Sequence, residues 1–371
     1  MNQQFLCDPN ELKEFCTNLF IGYGFIKKHA NSMSDCLITT DMRGIRSHGI
    51  VRVEMYLTQL KKGAIRSDGV PKIIKETNTT AVIDGDKAAG APVCDMAIKI
   101  TREKAEQNGI SIVTVKSSNH FGPAGHWSTK LAGGDMIGFA TTNTIPLLAA
   151  PVSKKAVIGN NPFSLAVPTG KQNHMSIDIS NGVMAFGKIH EYRRLKKTFP
   201  QNCWLDDKGN PTTDPFATDF LKFISLPFGM HKGFCLAVMV EAITSMLSGG
   251  PIAAEIVPPG TDVDANNSTS HTFMAIKLDR FCDPVEYKNR VDRFIDYIHS
   301  IETQNENDRG LYPGELENIS YAKALKEGII IPKNIKDFLV SAANEISMSV
   351  DSSLFKELKN KGGIYENLAL D

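Results

Sequence analysis

The stretch Ile110-Ser111-Ile112-Val113-Thr114-Val115-Lys116-Ser117-Ser118-Asn119-His120-Phe121-Gly122-Pro123-Ala124-Gly125 decides the fold class. Its first six residues are mostly β-branched and read as a buried strand. Ser117 to Gly125 then reads as a loop that leads into a helix. Strand, loop and helix in that order make an α/β unit, and loops at the carboxyl ends of strands are where such folds carry their sites. His120 sits in that loop among glycines and small polar residues, which suits close approach of a ligand. The competing reading is an exposed turn histidine.

Working outward, Val93 to Gln107 reads as a helix stopped by Asn108-Gly109, and Thr80 to Asp86 as a strand closing in a turn. Met136–Thr142, Ser164–Val167, Met175–Ile179 and Thr272–Leu278 are further strands, and Lys232–Leu247 is a strongly apolar helix expected to lie on the sheet. Short connections mixed with crossovers predict a mixed sheet over residues 76–282. Both chain ends read as helical. Asp8-Pro9-Asn10-Glu11 is an acidic cap with Pro at the first helical position, and Leu12, Phe15, Cys16, Leu19 and Phe20 follow with helical period until Gly22 and Gly24. A second helix runs from about Lys28 to Thr40 with Met33, Cys36 and Leu37 inward. Asp283-Pro284-Val285-Glu286 opens another, with Val291, Phe294 and Ile298 inward, and Tyr321–Lys326 and Ile335–Ile346 are also helical. Residues 1–75 and 283–371 are thus expected to form one discontinuous helical domain. Pro258 to Ser270 is the most loop-like stretch.

The chain has 371 residues, 42% apolar and 22% charged, with a formal net charge of +0. That suits a globular enzyme with a sizeable core and gives no basic field for nucleic acid or membrane. The start lacks a basic, then apolar, signal segment, and no apolar run is long enough to span a bilayer. The cysteines number 7 and are scattered without C-x-x-C, which fits a reducing compartment and a cytoplasmic location.

The richest constellation is Asp41-Met42-Arg43-Gly44-Ile45-Arg46-Ser47-His48-Gly49-Ile50-Val51-Arg52-Val53-Glu54-Met55-Tyr56. It reads as a loop feeding a short helix, with Ser47 as N-cap and Lys61, Lys62 and Gly63 as its end. At about 100° per residue, His48, Arg52 and Tyr56 share one stripe, while Ile50, Val53, Leu57 and Leu60 form an apolar one. Arg grips a carboxylate bidentately and a neighbouring His moves a proton near neutral pH, which suits a small hydroxy or keto acid. A solvated amphipathic helix is the bland alternative.

Three other stretches carry polar groups at useful places. Gly159-Asn160-Asn161-Pro162-Phe163 is a turn before a strand. Asp178 stands at a strand end, where it either caps a turn or orients a His or a ligand amide. Met230-His231-Lys232-Gly233 opens the apolar helix, and a helix start beside Lys favours anions. There is no G-x-G-x-x-G, Walker A, H-E-x-x-H or G-x-S-x-G motif.

Taken together, Arg43-Gly44, Ser47-His48-Gly49, Arg52, Tyr56, Ser118-Asn119-His120-Phe121-Gly122, Gly159-Asn160-Asn161-Pro162, Asp178-Ile179-Ser180, Gly187-Lys188, Gly209-Asn210-Pro211-Thr212-Thr213-Asp214-Pro215, His231-Lys232-Gly233 and Tyr312-Pro313-Gly314-Glu315 resemble, in order and over nearly the whole chain, the malate/L-lactate dehydrogenase family that lacks a Rossmann fold. That family includes ureidoglycolate and sulfolactate dehydrogenases, diketogulonate reductases and piperideine-carboxylate reductases. The resemblance implies a hydride transfer between NAD or NADP and C2 of a 2-hydroxy or 2-keto acid. It also implies a non-Rossmann mixed-sheet cofactor domain over 76–282 and a homodimer. Carried over by motif, Ser47, Arg52 and Tyr56 bind substrate, and His48 and His120 are catalytic with Asp178. Thr144, Asn161, Ile177, Asp178, Ile179, Ser180, His231, Lys232, Gly233, Pro313, Gly314 and Glu315 correspond to cofactor contacts. Two departures touch the pocket: Ala124-Gly125-His126-Trp127, where relatives often carry Tyr after the Gly, and Asn202-Cys203-Trp204, where they often have Gly before Trp.

On this reading Arg52 holds the carboxylate, His48 is the principal proton carrier, and His120 polarises the same oxygen. Asp178 orients an imidazole or the carboxamide, and Lys232 stands near the phosphates. Malate is the first substrate expectation, with Arg46 as a candidate second carboxylate partner. Lactate, sulfolactate and ureidoglycolate are the alternatives, and no ribose-binding acid at a known offset separates NAD from NADP. Two rivals stand beside this: a metal-dependent lyase or hydrolase using His48, His120, His126 and His231, although no paired ligand spacing calls for a metal, and a catalytically silent binding protein.

Overall fold

The structure is a computed structural model describing residues 3–256, 268–305 and 308–358. Most of the Pro258–Ser270 loop expectation lies outside the described residues; Thr269 and Ser270 already belong to a strand. The fold is mixed α/β. Its centre is a seven-stranded sheet of β2 (Lys72–Glu76), β3 (Thr80–Asp84), β4 (Ile110–Ser118), β5 (Met136–Thr142), β8 (Phe163–Pro168), β9 (His174–Ile179) and β13 (Thr269–Lys277), in the order β2-β3-β4-β13-β5-β8-β9. Only β3 and β4 pair in parallel, through the crossover helix α4 (Gly90–Asn108); the other neighbours are antiparallel. A five-stranded sheet of very short strands stands beside it. It runs β11 (Pro211–Thr212), β10 (Trp204–Leu205), β12 (Ile224–Ser225), β6 (Leu148–Ala149) and β7 (Ala156–Ile158).

The ends of the chain depart from a purely helical reading. Gln4–Cys7 is a strand, β1, paired antiparallel with β14 (Ile329–Pro332) on one side and β15 (Lys356–Glu357) on the other. Helix α10 (Lys333–Glu345) packs on this small sheet, and beside it α2 (Lys27–Met42) packs against α1 (Pro9–Gly22) and α9 (Glu315–Glu327). The predicted cap is present: the Asp8 carboxylate accepts from the Asn10 and Glu11 amides, and Pro9 begins the helix. In α8 (Pro284–His299) Asp283 accepts from the Glu286 amide, and Val291 and Ile295 face inward against Val167 and Met175. Phe294, expected inside, is exposed, because Ile295 takes the buried position of that turn.

The apolar helix begins at His231 as α7 (His231–Glu241) and widens into a π turn over Ala242–Met246. Its inner face, with Phe234, Ala237 and Val238, packs on Leu148 and Ile158. Its outer face is not covered: Leu236, Met239, Ile243, Met246 and Leu247 are exposed.

Candidate functional site

The organising loop is built by α2 and the start of α3 (Val53–Lys61). Ser47 is not an N-cap. Residues 46–48 and 50–52 form two 3-10 turns, and α3 begins only at Val53. The buried Asp41 carboxylate sets this shape: it accepts from the Ile50 amide at 2.6 Å, and a Cβ on Gly49 would strike it. Two 3-10 turns still bring His48, Arg52 and Tyr56 to one side. Ile50, Val53 and Leu57 go into the core as the period predicts.

His120 arrives from the other direction, on the loop after β4. That loop lies so close to the start of α4 that a Cβ on Gly90 would fall 2.3 Å from the His120 carbonyl oxygen. Gly122 has φ +83, a conformation other residues rarely adopt. Trp127, on α5 (Ala124–Ala132), donates its Nε1–H to the Phe121 carbonyl at 2.8 Å, and Phe121 stacks on the buried His271 at 4.5 Å. His271 in turn bonds Thr142 and Ser118, so it is a core histidine that holds the loop from below.

The two loops meet across a cavity of about 400 Å³. The His48 and His120 rings lie 5.5 Å apart and 20° from parallel. Ser47 Oγ is 2.9 Å from His48 Nδ1, and Tyr56 Oη is 2.9 Å from His120 Nδ1. The Gly122 amide also reaches His120 Nδ1, at 3.4 Å. A backbone N–H can only donate, so Nδ1 of His120 is the acceptor and the neutral ring carries its proton on Nε2. Burial raises the Tyr56 pKa, which keeps the phenol protonated and able to donate to the same nitrogen.

Both imidazoles are held neutral. Burial first, and then Arg52, pushes His48 down to about 3, and burial puts His120 well below the usual histidine range. No α-helix begins at His48, so burial and Arg52, and not a helix dipole, lower its pKa. Arg52 donates from Nε to the Ser47 carbonyl at 2.7 Å and contacts Met55 Sδ at 3.8 Å. It makes no ion pair among the described residues. Arg46 does not line the cavity; its guanidinium donates to the Ile330 carbonyl at 2.8 Å, which removes it as a second carboxylate partner there.

The far wall comes from the ends of β5 and β9. Thr144, Asn160, Asp178 and Ser180 line it, and Thr269 lines the cavity from the start of β13, paired with Ser118 just before the His120 loop. Asp178 accepts from the Gly125 amide at 2.8 Å, at the start of α5, and bonds no imidazole. Burial raises its pKa to about 6 against the pull of that bond and of Arg43. Asn161 does not line the cavity: its side chain donates to the Ala237 carbonyl and the Glu241 carboxylate and accepts from the Thr144 amide at 3.0 Å. Ile177 and Ile179 alternate away from Asp178 and Ser180. His231 and Lys232 are exposed at the start of α7, and Gly233 packs against Asn181 and Phe228 backbone. Pro313 and Gly314 run beside Ser176, with the Pro313 carbonyl accepting from its amide. Glu315 is buried and bonded to His299 and Arg309. These last two groups stand outside the cavity that joins the histidines. His126 is buried edge-on to Trp127 and His231 is exposed, so they do not join His48 and His120. Among the described residues no three His, Cys, Asp or Glu are placed to hold a metal.

The sequence reading passed over Glu241. It is 1% exposed and accepts from Asn143 at 3.0 Å, from Asn161 at 2.8 Å and from the Ala253 amide at 3.1 Å. This carboxylate ties together the backbone that carries Thr144. An acid inside so apolar a helix was the available signal.

Several buried neutral histidines give the fold a defined pH response. His48, His120, His126, His174 and His271 all have lowered pKa values, with burial the main cause. Such a group takes its proton in the unfolded chain first. Its contribution is complete above the unfolded value, about 6.5, and is lost as pH falls toward the folded one. Asp41 and Asp178 act oppositely, since burial raises them to about 7 and about 6 and the folded chain keeps their protons longer. The histidines outnumber them, so the thermal midpoint should fall as pH is lowered from about 7 to about 5. Calorimetry across that range checks this; a rising midpoint would contradict it.

Comparison with known proteins bears on the whole chain. Residues 7–340 match the family described as malate/L-lactate dehydrogenase. The malate/(S)-sulfolactate dehydrogenase of Methanothermus fervidus is 33% identical over 347 residues, covering 93% of this chain and 99% of that protein. The sulfolactate dehydrogenase structure from Methanocaldococcus jannaschii superposes with a TM-score of 0.85 at 33% identity, covering 93% of this chain and 98% of the other. The malate dehydrogenase structure from Entamoeba histolytica does so with a TM-score of 0.89 at 28% identity, covering 94% and 99%.

Proposed function

This chain belongs to the malate/L-lactate dehydrogenase family, and from that premise we propose that it interconverts malate and oxaloacetate by hydride transfer at C2 with NAD or NADP. The observation that carries the reading is Arg52: a partly buried guanidinium with no carboxylate partner among the described residues, facing one cavity with two neutral imidazoles. A buried cation of that kind calls for an anionic ligand, and the substrate carboxylate is one.

The chain's own residues divide the work. Arg52, steadied by the Ser47 carbonyl, orients the carboxylate and so the face of C2. His48 takes the hydroxyl proton at Nε2 while its Nδ1–H donates to Ser47 Oγ, and it returns that proton to the ketone in the reverse direction. His120 donates Nε2–H to the same oxygen, with Tyr56 and Gly122 donating to its Nδ1. The two rings thus hold opposite tautomers.

When bound, a nicotinamide dinucleotide supplies or accepts the hydride. The cavity fits a carboxamide-bearing ring: Thr269 belongs to its lining with Oγ1 buried and unbonded among the described residues, and Asp178 and Ser180 also line it. These residues with Thr144 would hold that end of the dinucleotide, and His231, Lys232 and the 313–315 turn would meet it further out. The test is a reductase screen of oxaloacetate, sulfopyruvate, pyruvate and the oxo acid of ureidoglycolate with NADH and NADPH. Oxaloacetate is expected to give the highest kcat/KM; turnover of none of them overturns the reading. Sulfolactate is the second reading, favoured by the similarity to sulfolactate dehydrogenases.

The protein is also read as a cytoplasmic homodimer. Leu236, Met239, Ile243, Met246 and Leu247 make an exposed apolar stripe along α7 and its π turn, and such a stripe needs cover. Light scattering at micromolar concentration should give twice the chain mass; a monomer would count against the dimer.

A further inference from the structure

We propose that Gln59 recognises the second acid group of the substrate, at the far end from the carboxylate held by Arg52; this rests on the dehydrogenase reading above. Gln59 lies on α3 seven residues beyond Arg52. Seven residues are nearly two full helical turns, so the two side chains leave one face about 10 Å apart along the axis. Met55 lies between them, and all three line the cavity. Two side chains reaching inward from that separation bracket a short chain with an acid at each end.

Gln59 is the lining carboxamide that is both buried and, among the described residues, without a side-chain hydrogen bond. Gln59 is 6% exposed, yet its side chain makes no hydrogen bond among the described residues, and its Oε1 is buried. A carboxamide has two donors and one acceptor and can turn by half a rotation, so either end can face the cavity. Of the other lining carboxamides, Asn160 is half-buried and accepts from Thr144 Oγ1 at 2.9 Å, and Asn119 and Asn143 have their donors committed. Asn119 Nδ2 donates to the Lys87 and Ala88 carbonyls, both at 3.0 Å, and Asn143 Nδ2 donates to Glu241 at 3.0 Å and Ser245 at 2.6 Å. A buried amide that bonds nothing in the protein is suited to bond a ligand.

The charges point the same way. Among the described residues Arg52 is the one Lys or Arg of the lining, and Arg46 is turned to the Ile330 carbonyl. A second carboxylate or sulfonate therefore meets neutral donors, and the Gln59 amide provides them. A 2-oxo acid without that group uses Arg52 and the histidines alone and is indifferent to Gln59.

The experiment compares kcat/KM for pyruvate, oxaloacetate and sulfopyruvate in the full-length enzyme and in Gln59→Met and Gln59→Glu. Thermal midpoints report that each variant is folded, and Gln59→Glu, which keeps the size, carries the test should Gln59→Met not fold. The oxaloacetate-to-pyruvate ratio is expected to fall about 10-fold in Gln59→Met, which removes the donors, and about 100-fold in Gln59→Glu, which adds a repelling charge. The sulfopyruvate ratio separates a carboxylate from a sulfonate preference, since the preferred tail should lose more. A ratio within about twofold of wild type in the folded variants, or an equal loss for all three acids, overturns the role of Gln59. Wild-type enzyme inactive on all three acids would instead overturn the substrate reading, and with it this inference.

Discussion

His48→Asn is expected to lower kcat by about 10²–10⁴-fold while leaving nicotinamide nucleotide binding unchanged. Asn keeps a polar group of similar reach but cannot carry a proton between hydroxyl and solvent. The neighbouring rings divide by their second nitrogen. His120 receives the Gly122 amide at Nδ1 and so presents a donor to the cavity. Among the described residues His48 Nδ1 bonds a hydroxyl, Ser47 Oγ, which accepts as readily as it donates and lets Nε2 be a base. Its lowered pKa, from burial and Arg52, keeps it unprotonated across neutral pH. His120→Asn should cost less, about 10–10²-fold, and Tyr56→Phe less again, because the Gly122 donor remains. Nucleotide fluorescence verifies that cofactor binding survives. Near-normal turnover in His48→Asn with a loss of about 10² or more in His120→Asn would exchange the two roles, and normal turnover in both would end the catalytic reading of the site.

Arg52→Lys is the second large effect. Lysine keeps the charge but not the fork, and it has no Nε–H to hold the Ser47 carbonyl. Losing one charge-assisted hydrogen bond to a carboxylate costs about 1.5–3 kcal/mol, so kcat/KM for the 2-oxo acid should drop about 10–10²-fold, mostly through KM. Nucleotide affinity should hold, because the candidate nucleotide contacts Thr144, Ser180 and Thr269 come from other segments of the chain. Because Ser47 also bonds His48, the pH profile of kcat should be recorded alongside; a profile that keeps its shape assigns the loss to the carboxylate alone. Unchanged substrate kinetics would remove Arg52 from the site.

Much of the site was legible in the order of residues. The β-branched run before Ser117 and the Gly-rich loop after it put His120 at a strand end, and there it stands. His48, Arg52 and Tyr56 were read as one stripe for a reason that proved only half right. Two 3-10 turns parted at Gly49 replace the first helical turn, because Asp41 ties down the Ile50 amide; His48 and Arg52 still line one cavity, and Tyr56 meets it through His120.

What the sequence by itself determined is the local grammar. The Asp8-Pro9 and Asp283-Pro284 starts, the Gly109 stop and the spans of the central strands follow from caps, turn residues and period, and these act between neighbours. What only the tertiary structure decided is what distant segments do to one another. The β1–β14–β15 sheet joins strands of two to four residues across more than three hundred positions, too short for any period to announce them. Phe294 is exposed because its neighbour Ile295 found the partners. Arg46 is drawn off to Ile330, Asn161 is turned inward by Glu241, and Gln59 is left with an amide that bonds nothing among the described residues. A polar side chain's role depends on which donors and acceptors surround it after the chain has closed, and those come from residues that are remote in sequence.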